Sequence, residues 1–277
     1  MSTFYLHPAC PENIRCMGAI CGDIVGSVYE FHPIKHKDFD IITDDNYFTD
    51  DTAMTLANML WLTNLEKNDL VECMHQIGNK YNMVGYGGRF YYWLMHHETK
   101  PYNSFGNGSA MRVSPVAWVG KTLDEVLFLA KKSAEVTHNH PEGIKGAQAS
   151  AAAIFMARKG CSKKEIKAFI EDSFGYNLSR KLDNIRPDYS FEVSCQKSVP
   201  ESIICFLEST DFEDTLRNAI SLGGDADTMA AIAGAIAEAY YGGIPEDLLV
   251  SVWGRLPEDL QNIILDFGEK VCQIPQE

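Results

Sequence analysis

Apolar residues recur at helical spacing along almost the whole of this 277-residue chain. The pattern predicts helices over about 12–29, 52–65, 69–81, 86–96, 123–136, 142–159, 163–172, 199–208, 212–221, 226–241, 246–252 and 257–272. Strand-like alternation is confined to two short stretches, Phe39–Ile42 and Ser190–Val193. The expected fold is therefore all-α: a compact multi-helix orthogonal bundle with more helices than a four-helix bundle uses. Three of the predicted helices are rich in small residues. Gly18, Gly22 and Gly26 recur every four positions, and Gly146-Ala147-Gln148-Ala149-Ser150-Ala151-Ala152-Ala153 and the helix after Asp227 share the habit. Glycine weakens an isolated helix by nearly ~1 kcal/mol per position relative to alanine, a cost that close packing against a neighbour offsets. These three helices should form the packed centre.

Two acidic segments interrupt the pattern, each directly before a long apolar run. They are Thr49-Asp50-Asp51-Thr52, leading into Ala53–Leu60, and Gly223-Gly224-Asp225-Ala226-Asp227-Thr228, leading into Met229–Ala237. Asp and Thr are good helix caps, and either segment alone would pass as one. Capping uses one side-chain oxygen per helix, however, and both segments offer more. Adjacent carboxylates repel each other, so the surplus calls for positive charge, and all-oxygen donor sets select hard cations. A shared metal site requires the two ends of the chain to pack together. No Ser/Gly-rich, Pro-rich or like-charged stretch divides the sequence, so residues 1–277 are expected to form a single domain.

Composition narrows the field further. Thirty-eight acidic residues against 24 basic ones give a formal charge of −14, which disfavours non-specific nucleic-acid binding. Eight cysteines without a C-x-x-C pair read as reduced thiols, and His7 with its neighbouring cysteines lacks the paired spacing of a zinc site. No basic-then-apolar leader pattern and no run of membrane-spanning length occur, so the expectation is a soluble, cytoplasmic protein with no membrane partner.

Three further polar groups stand out. Asn103-Ser104-Phe105-Gly106-Asn107-Gly108-Ser109-Ala110-Met111-Arg112 is either an ordinary turn or a loop whose amides approach phosphates. Thr137-His138-Asn139-His140-Pro141-Glu142 could supply ligands, acid/base groups or a helix entrance. Carboxylates already favour a hard ion, so His138 belongs near a substrate and not on the metal. Glu30 is expected at the end of the first helix, where position alone reads as an exposed acid. Aromatic residues within 90–102 are either core or a stacking surface.

Taken together, these segments resemble the ADP-ribosylglycohydrolase family, which includes the hydrolase that reactivates ADP-ribosylated dinitrogenase reductase. The likeness runs from Gly18 to about Pro245. It is carried in order by Gly-Asp-Ile-Val-Gly-Ser-Val-Tyr-Glu-Phe at 22–31, Phe-Thr-Asp-Asp-Thr at 48–52, Gly-Asn-Gly-Ser-Ala-Met-Arg at 106–112, Thr-His at 137–138 and Gly-Gly-Asp-Ala-Asp-Thr at 223–228. The resemblance implies an all-α fold with a cleft holding two Mg²⁺, or Mn²⁺, ions. Four carboxylates cancel two divalent cations. By the same resemblance Thr49, Asp50, Asp51, Asp225, Asp227 and Thr228 are metal ligands, and Glu30, Asp51 and Asp227 are catalytic. Gly106, Asn107, Gly108, Ser109 and Met111 match the loop cradling a diphosphate, and His138 a histidine near the ligand. Ala226 replaces a threonine common in relatives. The segment from Tyr86 to Tyr102 lacks an acid matching the one that receives a guanidinium in some of them. The implied activity is Mg-dependent removal of ADP-ribose from a protein side chain or small ADP-ribosyl substrate, foremost from arginine. The alternatives are another ADP-ribosyl linkage (serine, nucleobase or a free derivative) and a non-catalytic ADP-ribose binder.

Overall fold

The structure, a computed structural model, describes residues 14–274. His7, Cys10 and the first two positions of the helix expected at 12–29 lie outside the described residues. Fifteen helices follow one another: α1 (Gly18–Gly26), α2 (Asp50–Thr63), α3 (Leu70–Lys80), α4 (Gly88–Met95), α5 (Gly108–Met111), α6 (Ser114–Val119), α7 (Leu123–Glu135), α8 (Pro141–Arg158), α9 (Lys163–Phe174), α10 (Leu182–Ile185), α11 (Cys195–Leu207), α12 (Phe212–Ile220), α13 (Ala226–Tyr241), α14 (Glu246–Trp253) and α15 (Glu258–Cys272).

No strand forms among the described residues. The alternation at 39–42 and 190–193 gives only loop, and Gly106 and Ser194 share an isolated bridge. The first helix is also shorter than its apolar pattern. It ends at Gly26 with Ser27 as cap, so Glu30 stands in the loop beyond and not on the last turn. The Ser27 hydroxyl donates to the Ile24 carbonyl and accepts from the Tyr47 amide, turning the chain away from the helix axis.

At the centre lies α13, buried on every side from Ala226 to Glu238 and packed against α1, α12, α11 and α8. Its partner α1 runs antiparallel to it along the glycine face. A Cβ on Gly18, Gly22 or Gly26 would lie 2.3 Å from Gly234 O, 2.1 Å from Ala230 O and 2.5 Å from Asp227 Cα. Any side chain there would push the backbones apart. Glu238 closes the far end of the pair by accepting from the Gly18 amide at 2.7 Å. The N-terminal ends of α2 and α13 thereby come to the same end of the core. No disulfide forms among the described cysteines, and no described helix is long and apolar enough to cross a membrane.

Candidate metal centre and cleft

Thr49 caps α2, and its hydroxyl accepts from the Asp51 amide at 3.3 Å. The Asp50 amide donates to the Val84 carbonyl at 2.8 Å and the Thr52 amide to Asp23 Oδ2 at 3.0 Å, so the helix start is satisfied and both following carboxylates are left free of capping duty. At α13 the capping residue is Asp225, but its side chain makes no cap bond and accepts from Asn107 Nδ2 at 2.7 Å instead. Gly223, with φ of 64°, forms the left-handed step that turns the chain into this segment.

The two segments meet. Thr228 Oγ1 donates to Asp51 Oδ2 at 3.1 Å, and single carboxylate oxygens of Glu30, Asp225 and Asp227 lie within 4.8 Å of one another. Asp50, Asp51, Asp225, Asp227, Thr228 and Glu30 line one cavity of about 490 Å³. Its remaining wall includes Gly106, Asn107, Gly108, Met111 and His138. Thr49 and Ser109 do not line it. The Thr49 hydroxyl donates to Asp23 Oδ1 at 2.6 Å beneath the cleft, and the Ser109 hydroxyl donates to the Gly143 carbonyl at 2.7 Å. A larger cavity of about 750 Å³ lies at the other end of α13, beside Glu238 and Gly242, and gathers no comparable cluster among the described residues.

Electrostatically the site is unbalanced. Burial, followed by the charges of neighbouring aspartates, pushes the carboxyl groups of Asp50, Asp51 and Asp227 well above the ordinary carboxylate range. Burial raises Asp225 to about 6, and burial with Asp227 and Asp23 raises Glu30 to about 8. Asp51 Oδ1 is buried without any hydrogen-bond partner. These are the conditions a cation would relieve: several converging oxygen donors, an orphaned carboxylate oxygen and like charges held together. The all-oxygen donor set suits a hard divalent cation.

Sequence reasoning gave no role to two residues that organise this site. Asp23, wholly buried in α1, accepts from the Thr49 amide at 2.9 Å, the Thr49 hydroxyl, the Thr52 amide at 3.0 Å and the Thr52 hydroxyl. The readable signal was an acid inside an otherwise small and apolar helix. Arg112, also buried, donates to Ser133 O and Thr137 Oγ1. Only its place at the end of the 106–112 motif sets it apart in the sequence from a surface arginine. The aromatic stretch divides: Phe90 and Trp93 are core, Tyr91 and Tyr92 are exposed, and Tyr102 lines the cavity with Arg89, whose guanidinium lies 5.2 Å from the Tyr102 ring.

The chain matches the family model described as ADP-ribosylglycohydrolase over residues 15–273, and it belongs to that family of glycosidic-bond hydrolases. Among characterised proteins it is similar to ADP-ribosylhydrolase ARH3 of Homo sapiens, 29% identical over 88% of this chain and 89% of that one. It is also similar to ADP-ribosylarginine hydrolase Tri1 of Pseudomonas putida (strain GB-1), 25% identical over 93% and 78% of the two chains. A solved structure described as an ADP-ribosylglycohydrolase-related protein complex has the same fold, with a TM-score of 0.69 at 22% identity over 94% of this chain and 98% of that one.

Proposed function

We propose that the protein is a divalent-cation-dependent hydrolase that releases ADP-ribose from modified side chains, foremost from the guanidinium nitrogen of arginine. The observation that carries this reading is the convergence of Glu30, Asp50, Asp51, Asp225 and Asp227 on one cavity with an unpartnered Asp51 oxygen. Asp50, Asp51, Asp225, Asp227 and Thr228 would hold two Mg²⁺ or Mn²⁺ ions from the cavity side, with Thr49 supporting them from below. Bound there, the cations supply positive charge and Lewis acidity for ribose hydroxyls and water.

The chain's own groups account for the remaining chemistry. Glu30, on a loop at the cavity and only half-buried, would take the proton of the attacking water. As the bond from the anomeric carbon to nitrogen breaks, positive charge spreads over the ribose ring, and the acidic group stabilises it. An arginine-linked substrate arrives with a cationic guanidinium. It departs as neutral guanidine without prior protonation and then takes up the proton released by water. The acidic cavity also attracts that cation before reaction. The name of the Pseudomonas putida relative, an ADP-ribosylarginine hydrolase, agrees with this linkage.

The test is to strip metal from the protein and add Mg²⁺ or Mn²⁺ in the presence of arginine- and serine-linked ADP-ribosyl peptides. Release from the arginine peptide should need the cation. Asp51→Asn and Asp227→Asn should each lower turnover by about 10²-fold or more, as expected for groups felt in the transition state. Equal turnover by all three proteins would remove the mechanism, and release from the serine peptide alone would replace the linkage.

A further inference from the structure

One cation lining the cavity has no carboxylate beside it. Arg112 is 1% exposed, and among the described residues it forms no ion pair. Burying an unpaired guanidinium is expensive, and it stays charged here, its pKa lowered by burial only to about 10. Its Nη2 donates to the Ser133 carbonyl at 2.8 Å and to Thr137 Oγ1 at 2.9 Å. Thr137 Oγ1 in turn stands 2.7 Å from His138 Nδ1.

The proton inventory along this row has one solution. A guanidinium can only donate, so the threonine oxygen accepts from it; among the described residues the hydroxyl has no acceptor other than the imidazole, so its single proton goes there. Nδ1 therefore accepts, and the ring proton lies on Nε2. Nε2 faces the glycine loop, since a Cβ on Gly108 would lie 3.0 Å from it and one on Gly106 3.6 Å. His138, Gly106, Gly108 and Arg112 all line the cavity.

We propose that Arg112 and Thr137 are positioning residues that fix His138 as a neutral Nε2–H donor, so that the ring can serve only an unprotonated, negatively charged oxygen of a ligand at the glycine loop. This rests on the reading that the ligand is an ADP-ribosyl compound, and it removes His138 as a source of the leaving group's proton. The ionisable groups that face the ring are Arg112, through Thr137, and Tyr102, whose ring centroid lies 6.0 Å away, with the acidic group elsewhere in the cavity. No carboxylate hydrogen-bonds the imidazole among the described residues, so nothing there draws a second proton onto it. Burial, and after it the charge of Arg112, hold the ring well below its ordinary pKa, in agreement with the hydrogen-bond inventory.

The tautomer can be read without substrate, by long-range proton–nitrogen NMR on the full chain labelled at histidine nitrogen. His138 should show a bare Nδ1 and a protonated Nε2 from about pH 5.5 to about pH 8, the window in which a free histidine titrates. Thr137→Val should release a second tautomer or a titration within that window and raise KM roughly tenfold with kcat changed less than about twofold. Thr137→Ser should restore both. A proton on Nδ1 in the unaltered protein, a titration there, or an unchanged Thr137→Val spectrum overturns the proposal. Should Thr137→Val fail to fold, the unaltered protein and Thr137→Ser decide it. A protein with the expected tautomer that releases no ADP-ribose would refute the proposed function and leave this relay standing.

Discussion

Asp23 is a buried carboxylate surrounded by donors: both oxygens are engaged by the amides and hydroxyls of Thr49 and Thr52. Burial raises its pKa and the four bonds pull the other way, so the hydrogen bonds from Thr49 and Thr52 offset part of the cost of burying its charge. Asparagine would keep one acceptor and turn an NH₂ group either toward one donor, the Thr49 hydroxyl, or toward the three that meet the other oxygen. Asp23→Asn should therefore lower Mn²⁺ affinity at least tenfold by calorimetric titration, in keeping with groups that orient ligands from behind. It should also cost about 2 kcal/mol in urea unfolding. Unaltered Mn²⁺ affinity would show that the Thr49–Asp51 turn orders itself. The four aspartates that face the cavity were legible in the sequence because they exceed what capping uses, whereas Glu30 was legible only through the motif at 22–31. Which oxygens face the cavity was not. Thr49 turns its hydroxyl down to Asp23, Asn107 spends its amide on Asp225, and Ser109 bonds to α8, because each is claimed by a donor or acceptor distant in sequence.

At the scale of the element, α1 and α13 transmit packing directly to the site. Gly22 meets the backbone of Ala230 and Ala231, which cannot yield as a flexible side chain could. Gly22→Ala should cost about 2–3 kcal/mol by overpacking, seen as a lower Tm. Gly26→Ala strikes Asp227 itself and should lose cation affinity beyond the loss of stability, as titration of the folded fraction would show. Equal affinity in both glycine variants would uncouple the helix pair from the site. The spacing of Gly18, Gly22 and Gly26 made this pair legible, since nothing else explains three costly helix positions on one face. The long amphipathic helices were legible for the same periodic reason. The four-residue α5 and α10 and the six-residue α6 were not, being too short to show a period. The helix expected at 199–208 starts four residues earlier, at Cys195, although proline favours the first turn of a helix. In fact Pro200 lies inside the helix that runs from Cys195 to Leu207.

Across the whole molecule, the acidic cluster ties stability to pH and to cations together. In metal-stripped protein the folded state holds protons that the unfolded chain has already lost, because its buried carboxyl groups have raised pKa values. Stability from these groups is fully present below the ordinary carboxylate range near ~4. It drains away as pH rises through the folded values, about 6 for Asp225 and about 8 for Glu30. The formal charge of −14 adds general self-repulsion in the same direction. Metal-stripped protein should therefore melt at a lower temperature at pH 8 than at pH 5.5. Cations reverse the slope, because they bind the deprotonated cluster. At about 100 times its dissociation constant, Mg²⁺ should contribute about 2.7 kcal/mol. For a chain of this size that is a rise of several degrees in Tm, close to ~2–4 °C per kcal/mol. The gain should be large at pH 8 and small at pH 5.5, where protons compete for the same oxygens. Scanning calorimetry at both pH values, with and without Mg²⁺ and with Asp227→Asn as control, measures it. A gain of equal size at both pH values, or one that survives Asp227→Asn unchanged, would mean that the cation acts elsewhere on the acidic surface and that the cluster at the head of α13 is not its site.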